Sequence, residues 1–358
     1  MAKSVGKERT RIESVQVIRA IAFILIFLSH VELISTGPIG VSVFLVISGF
    51  CMTYAYLDRP EKTPRPSLVN NFKFAWEKAK KLYPLHLVTL LFVSFVIFGG
   101  LFLHKASVRE IVEQGAYFVA NSLLLQSWIP WRDGYFSFNA VSWYLSTTVF
   151  SYFLFPWVFQ EIQSKDKKRI ARLAGFTLGL MVAVAIILGM GGWTKEIIKW
   201  VVYICPLYRA GDFILGLIAG YVFLTWERDW SNGIYSVLEI IVIILMAIKV
   251  TIYCSGAVNA ANWTLTLFWL PTSIICVFLF ALKMGAVSKV LSRSKVLIWI
   301  GNISGEAFLI HQICIKAAEV VTKNKWVVAV ISFAATLTAT MTWRWFCKTV
   351  REKMLRQA

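Results

Sequence analysis

The sequence predicts an all-α, polytopic integral membrane protein with about ten transmembrane helices and cytoplasmic N- and C-termini. Of its 358 residues, 58% are hydrophobic and only 16% are charged, against roughly 25% charged residues in soluble domains. Apolar runs of about 18 residues or more, long enough to cross a bilayer as helices, recur from end to end. The ten-residue alternation of a membrane barrel is absent, so helices are the structure that satisfies the backbone in lipid.

The positions of the apolar runs and of the basic residues between them define the predicted topology. With the N-terminus inside, 26 of the 37 lysines and arginines fall in cytoplasmic segments and seven fall outside. Such an excess of basic residues on the inner side is the usual determinant of orientation. We predict that the ten spans lie at 13–35, 39–57, 83–103, 139–160, 172–191, 206–226, 234–253, 263–282, 296–317 and 326–346.

The whole chain, 1–358, is predicted to form one transmembrane domain with no attached soluble domain and a multi-pass location in the inner or plasma cell membrane. The basic N-terminus resembles a signal peptide, but no small-residue cleavage site follows, so the first run is interpreted as a retained helix. The net charge of +18 resides in short loops and does not indicate nucleic-acid binding. The six scattered cysteines are expected to be small buried hydrophobes.

The longest predicted cytoplasmic connection, 58–81, begins with a proline-rich segment that cannot be helical. The following NNFKFAWEKAKKLYP has the pattern of an amphipathic helix at the membrane interface, with Phe72, Trp76 and Ala79 on one side. Outside the membrane, 104–138 is predicted to hold a short helix and then an aromatic patch, SWIPWRDGYF.

Arg19 and His30 are an unusual ionisable pair within the first apolar run. They are eleven residues apart, close to three helical turns, so both fall on one helix face about 16 Å apart along the axis. A charge in hydrocarbon costs roughly 2.5–3.5 kcal/mol on insertion scales, which favours a functional site. A snorkelling arginine and a packed histidine are the alternative, and these two residues alone leave both interpretations open.

Other polar residues suggest what such a site would do. His30 is the best general base by residue type, and Arg19, Lys78 and Lys81 all fall near the predicted cytoplasmic face. Such a group of cations suits a multiply anionic donor, for example the phosphates of a coenzyme, although juxtamembrane lysines often only set topology. Arg209 begins on the opposite side. The four histidines have no ligand-like spacing, so no metal site is predicted.

Five segments, in order along nearly the whole chain, resemble the membrane acyltransferase-3 family. RAIAFILIFLSH followed by GVSVFLVISGFCMTYAY is similar to the family's opening helices, in which an arginine and a histidine precede a G-V-x-x-F-x-x-S-G-F pattern. The other matching segments are KAKKLYPLHL, SWYLSTTVFSYFLFP, YRAGDFILGLIAGY and IGNISGEAFLIHQI.

The resemblance implies transfer of an acyl group, most commonly acetyl, from cytosolic acyl-CoA (acetyl-CoA) to a hydroxyl of a surface or lipid-linked glycan. His30 matches the family's catalytic histidine and Arg19 its paired arginine. Lys78 and Lys81 stand where the family has donor-binding arginines. Arg209, which lies in a matching arginine segment, is assigned to donor binding with them and Arg19. Lysine supplies charge without the bidentate fork of arginine, so this departure affects donor affinity. An acyl-histidine intermediate is an alternative to direct transfer.

Thr148 is a second departure, because the family commonly has a glutamate there. The acidic partner of His30 is therefore unidentified, and Glu32 and Glu306 are the candidates to replace it. An acceptor or supporting role is assigned to Ser48, Trp143, Tyr144 and His311, with helix packing, interface anchoring and an ordinary span-end histidine as the alternatives.

Two other functions compete with membrane O-acetyl transfer. A transporter or flippase of polysaccharide units also fits ten spans with intramembrane charges, although no inverted repeat is evident. The loss of the glutamate at Thr148 would also suit a non-catalytic partner in a glycan assembly. The expected contacts are the glycan acceptor and membrane lipid; the sequence does not set the oligomeric state.

Overall fold

The computed structural model describes residues 10–258 and 265–357, and within them the chain is helical, without strands. The helices are α1 (Glu13–His30), α2 (Gly37–Tyr56), α3 (Leu68–Ala79), α4 (Tyr83–Leu103), α5 (Val108–Ser122), α6 (Arg132–Tyr135), α7 (Trp143–Gln163), α8 (Lys167–Gly189), α9 (Lys195–Lys199), α10 (Pro206–Thr225), α11 (Asn232–Cys254), α12 (Leu270–Leu282), α13 (Ala286–Leu291), α14 (Lys295–Val321) and α15 (Lys325–Gln357).

Each predicted span overlaps one of these helices, although the start of the span at 263–282 lies outside the described residues. By length and composition, eight stretches of the described chain are able to cross a membrane, and α7 and α12 are not among them. The 13 residues of α12 reach only about 20 Å, against a hydrocarbon core of about 30 Å. In α7 the apolar run is interrupted by four hydroxyl residues, Ser146, Thr147, Thr148 and Ser151.

The helices differ in how much of their apolar surface is covered. In α2 and in the stretch ending with α10, 72% of the most apolar window is buried, whereas in α8 and α11 the values are 17% and 11%. Large apolar side chains such as Phe95 and Phe102 in α4 are more than four-fifths exposed. Exposed apolar surface of this extent indicates contact with lipid, so α2 and α10 are central and α4, α8 and α11 are peripheral.

Small residues bring the central helices into backbone contact. A Cβ atom on Gly49 of α2 would overlap the carbonyl oxygen of Phe213 in α10, and one on Gly216 would overlap that of Val46. Gly301 of α14 meets the backbone of α1 in the same way. Small residues at helix crossings are typical of membrane helix packing.

The predicted interfacial helix is present as α3. The Ser67 hydroxyl caps its N-terminus by accepting a hydrogen bond from the Asn70 amide at 3.1 Å. Phe74 is buried and stacks on Phe155 of α7, with ring centroids 5.2 Å apart. Phe72 and Trp76 remain exposed, as expected of a helix with one face on the protein and another at an interface.

The bundle has two ends that differ in chemistry. At the first, the start of α1 lies beside the end of α2, where the Tyr54 hydroxyl donates to the Thr10 carbonyl oxygen at 3.1 Å. We call it the basic end. At the other, which we call the histidine end, α1 stops at His30 and a short link leads to α2. Glu32 in that link has a φ of 56°, a backbone conformation unusual for a residue with a side chain.

Candidate active site

A cavity of about 490 Å³ opens between helices at the basic end. Its walls come from α1, α2, α7, α14, α15 and the turn between α3 and α4, so distant parts of the chain form one surface. Five basic residues line it: Arg11, Arg19, Lys78, Lys81 and Arg344. We refer to it as the basic cavity. Its volume lies within the roughly 300–1,000 Å³ range of small-molecule sites.

Among the basic residues that line the cavity, Arg19 lies within α1. Its Nε atom is buried and has no hydrogen-bond partner, and within the described residues its guanidinium forms no ion pair. A buried charge is normally paired or hydrogen-bonded. Because Arg19 lines the cavity and has no carboxylate partner among the described residues, its charge is one that an anionic ligand would compensate.

Lys78 and Lys81 reach the same cavity from the end of α3. The Lys78 ammonium donates to the Tyr56 hydroxyl at 2.5 Å and lies 5.1 Å from the centre of the Phe74 ring, so α2 and α3 hold it in place. Burial lowers the pKa of the Lys81 ammonium, and the guanidinium groups of Arg11, Arg19 and Arg344 lower it further against an opposing effect of Glu306. Three of the four cations predicted to bind the donor, Arg19, Lys78 and Lys81, thus line one cavity.

Arg11 and Arg344 were not selected from the sequence. Arg11 donates to the Asn302 side chain at 3.1 Å, and Arg344 lies 3.4 Å from the Asn302 carbonyl oxygen and 3.9 Å from Glu306. In the sequence, Arg11 lies just before the first predicted span and Arg344 lies at the end of the last one, so neither could be distinguished from cations that only set topology. Only the packing of α14 against α1 and α15 brings them into the cavity.

An aromatic cluster closes the inner part of the basic cavity. The ring of Phe308 lies 6.2 Å from Phe44 and 5.2 Å from Tyr144, measured between centroids, and all three residues line the cavity. The other neighbour of Phe308 is His311, whose ring centroid is 5.6 Å away. One aromatic layer therefore separates the cavity from the histidine end.

His30 and His311 form a direct pair at the histidine end. The His30 Nδ1 atom lies 2.8 Å from the His311 Nε2 atom, and the His311 Nδ1 atom lies 2.7 Å from the Phe308 carbonyl oxygen. His311 is fully buried and His30 is half-buried. The sequence predicted a carboxylate, Glu32 or Glu306, as the partner of His30. In the structure the partner is an imidazole of α14, 281 residues away.

Neither candidate carboxylate is bonded to His30. Glu32 is paired with Lys325 at 2.9 Å, and hydrogen bonding and charge from Lys325 lower the pKa of the Glu32 carboxyl. Glu306 lines the basic cavity instead. Thr148 also faces that cavity, and its hydroxyl donates to the Tyr144 carbonyl oxygen at 2.7 Å.

Arg209 is not among the residues that line the basic cavity. It is fully buried near the start of α10, with Asp212 at 3.3 Å and the Thr266 hydroxyl at 2.5 Å. Asp212 in turn accepts a hydrogen bond from Ser42 of α2 at 2.8 Å. The structure separates Arg209 from the cations with which it was grouped and places it in a buried link between helices.

The predicted acceptor residues are also divided. Ser48 and Tyr144 line the basic cavity. Trp143 is buried and contacts Tyr203, with ring centroids 5.2 Å apart. His311 is the partner of His30. These residues do not form one surface in the described part of the chain.

Comparison with known proteins identifies the family. The sequence pattern of the acyltransferase domain known as acyltransferase-3 matches residues 12–345, which is most of the chain. The chain belongs to the acyltransferase-3 family. The match to an acyltransferase domain, together with the several apolar helices, indicates a membrane protein of an acyltransferase family.

The chain is also similar to the acyltransferase MdmB of Streptomyces mycarofaciens. The two are 26% identical over 200 residues, which is 53% of this chain and 47% of MdmB. The chain thus matches about half the length of that relative. No solved structure matches it.

Proposed function

We propose that this protein transfers an acyl group, most commonly acetyl in this family, from cytosolic acyl-CoA to a hydroxyl of a surface or lipid-linked carbohydrate. His30 is the general base. The proposal is supported mainly by one observation. Cations surround a cavity at one end of α1, and a pair of histidines lies at the other end.

The basic cavity supports a polyanionic donor. Five basic side chains face one carboxylate, Glu306, among the residues that line it, and the buried Arg19 Nε lacks a partner. The phosphates of coenzyme A would supply the missing acceptors as charge-assisted hydrogen bonds. Lys78 and Lys81 offer point charges in place of the arginine fork.

The distribution of charge along the chain supports a cytoplasmic basic end. The 26 basic residues predicted inside, against seven outside, favour ten crossings with both termini in the cytoplasm. The donor then enters from the cytoplasm, and His30 faces an acceptor that arrives from the opposite side. Phe44, Tyr144 and Phe308 lie between the two, so the acyl group must pass this layer to reach His30.

The chemistry requires one proton to move twice. His30 takes the proton of the acceptor hydroxyl as the oxygen attacks the carbonyl carbon of the thioester. The carbon–sulfur bond then breaks, and the leaving sulfur recovers the proton from His30. The products are an ester and free coenzyme A, and no metal enters the balance.

The test replaces His30 by alanine and measures acyl esters on surface glycan by mass spectrometry, together with glycan export. We expect the ester signal to fall by about 100-fold or more, the usual contribution of general base catalysis, while export continues. The control is His104→Ala, because His104 is exposed at the end of α4. Unchanged esters with blocked export would contradict acyl transfer and favour transport.

A further inference from the structure

We infer that His311 is a positioning residue that holds His30 in the tautomer whose Nε2 atom is unprotonated. The inference rests on the proposed function, because it gives His30 the protonation state that a base requires. It follows from two distances and from the fact that a carbonyl oxygen can only accept a hydrogen bond.

The chain of hydrogen bonds begins at a backbone acceptor. The Phe308 carbonyl oxygen, 2.7 Å from the His311 Nδ1 atom, requires that this nitrogen carry hydrogen. In a neutral imidazole the other nitrogen is then an acceptor, so the His311 Nε2 atom offers a lone pair. The His30 Nδ1 atom, 2.8 Å from it, must therefore donate. The remaining nitrogen of His30, Nε2, is left with its lone pair.

The surroundings favour a neutral His311. Its ring is fully buried and contacts the rings of Phe23, Phe27 and Phe308, with centroids 5.8, 6.3 and 5.6 Å away. No carboxylate of the described residues is bonded to either histidine. A second imidazolium in this apolar setting would be a buried charge without a counter-ion, which is costly.

The ion pairs at the histidine end lie on α14, α15 and the link after α1. Lys316 of α14 is paired with Glu319 at 2.8 Å. Glu32 and Lys325 neutralise each other across the link. The lone pair of His30 Nε2 has no partner among residues 10–258 and 265–357, so it remains available to a hydroxyl.

His311 keeps its single N–H hydrogen, on Nδ1, throughout the reaction in this arrangement. His30 gains a proton on Nε2 from the acceptor hydroxyl and returns it to the leaving sulfur. Its Nδ1 hydrogen continues to donate to His311 while the ring is an imidazolium. The comparable arrangement in serine hydrolases uses a carboxylate to fix the tautomer of the catalytic histidine. Here the acceptor is an imidazole, itself oriented by the Phe308 carbonyl.

The test uses two substitutions that differ in one property. His311→Phe fills the space but offers His30 no acceptor, whereas His311→Gln places a side-chain amide oxygen where Nε2 was. We expect the phenylalanine variant to lower kcat on the order of 100-fold with the KM for acetyl-CoA unchanged. Removing a group that orients a functional side chain typically lowers activity about 10–100-fold. A wrong histidine tautomer in a protease lowers kcat roughly 10⁴-fold. The expected decrease in kcat lies between these two values. The glutamine variant should recover most of kcat.

Nitrogen-15 NMR of histidine-labelled protein reads the tautomer directly. Because the chain has four histidines, the His30 signals are assigned from their loss in His30→Ala. In the wild type we expect a protonated Nδ1 and an unprotonated Nε2. This preference should disappear in His311→Phe and return in His311→Gln. His86→Phe is the matched control, since His86 is a buried histidine bonded to the Asn121 carbonyl oxygen at 2.9 Å.

The outcomes separate this inference from the proposed function. If His30→Ala abolishes transfer while His311→Phe keeps wild-type kcat and the wild-type His30 tautomer, His30 remains the base and the positioning role is wrong. If both His311 variants are inactive with an unchanged His30 tautomer, His311 acts on the substrate and the inference is overturned. If His30→Ala retains full transfer, the proposed base itself fails. Thermal melting in detergent verifies that each variant is folded.

Discussion

Arg19 and Arg209 are both arginines inside apolar helices, and the structure gives them opposite environments. Arg209 is fully buried beside the Asp212 carboxylate, 3.3 Å away, and is also bonded to Thr266. Arg19 has no carboxylate partner in the described chain and lines a cavity of about 490 Å³. The Arg209 guanidinium is neutralised by a carboxylate of the protein, whereas the Arg19 guanidinium has no carboxylate partner among the described residues.

The difference indicates how to interpret a charge in a membrane helix. A paired, enclosed cation such as Arg209 links helices, here α10 to α2 through Asp212 and Ser42. An unpaired cation that faces a cavity, such as Arg19, is maintained at a cost in stability that a ligand would offset. A substitution that removes a charge from the Arg209–Asp212 pair should therefore lower the stability of the fold. A substitution that removes the charge of Arg19 should weaken the binding of an anionic ligand.

The largest effect is expected from Asp212→Asn. The amide keeps an oxygen for Ser42 but leaves Arg209 as an uncompensated buried charge, which typically costs about 3–5 kcal/mol. Thermal unfolding in detergent should occur at a clearly lower temperature. Asp166→Asn is the control, because Asp166 also pairs with an arginine three residues away but is exposed; its effect should stay below about 1 kcal/mol. Equal losses would remove the distinction between the two sites.

Arg19→Gln should separate binding from folding. We expect the dissociation constant for ethyl-CoA, a thioether analogue that cannot transfer its chain, to rise roughly ten- to one-hundred-fold, as for loss of a charged hydrogen bond worth about 1.5–3 kcal/mol. The melting temperature should not fall, since Arg19 has no ion partner to lose. Calorimetry measures the affinity, with the exposed Arg172→Gln as the control. A large drop in melting temperature with unaltered affinity would assign Arg19 to structure.

The smallest effect concerns Lys81 and pH. Because burial and neighbouring guanidinium groups lower the pKa of its ammonium, Lys81 loses its charge at a lower pH than a free lysine. An anionic donor prefers the protonated form, so affinity should be constant below this pKa and fall roughly five-fold, about 1 kcal/mol, as pH rises through it. Ethyl-CoA affinity measured across alkaline pH tests this. In Lys81→Arg the fall should vanish, because arginine stays charged; in Lys78→Arg it should persist.

The helices were predictable because the hydropathy and residue pattern of each one can be seen in its own stretch of sequence. Apolar length predicted where α1, α2, α4, α8, α11 and α14 lie, and the pattern before Tyr83 predicted α3. Length alone did not reveal that α12 is only 13 residues within the described chain, or that α1 stops at His30. Those boundaries depend on where the neighbouring helices end and turn.

The candidate site was predictable only in part. Arg19, Lys78 and Lys81 were selected from their charge and position, and the structure brings them to one cavity. Arg11 and Arg344 gave no separate signal, because a basic residue at the end of a span has the same sequence pattern whether it faces a cavity or water. Arg209 was grouped with them by motif, yet Asp212 three residues later gave no sign that the pair would be enclosed.

The residues alone are sufficient to predict a helical membrane protein of the acyltransferase-3 family with an arginine and a histidine on one face of α1, because hydropathy, spacing and motifs are local properties. Which cations remain unpaired, and that His311 is the partner of His30, depends on how the helices pack. Those contacts join α1 to α14 across 281 residues. Burial and ion pairing are properties of neighbours in space, which the order of residues along the chain does not record.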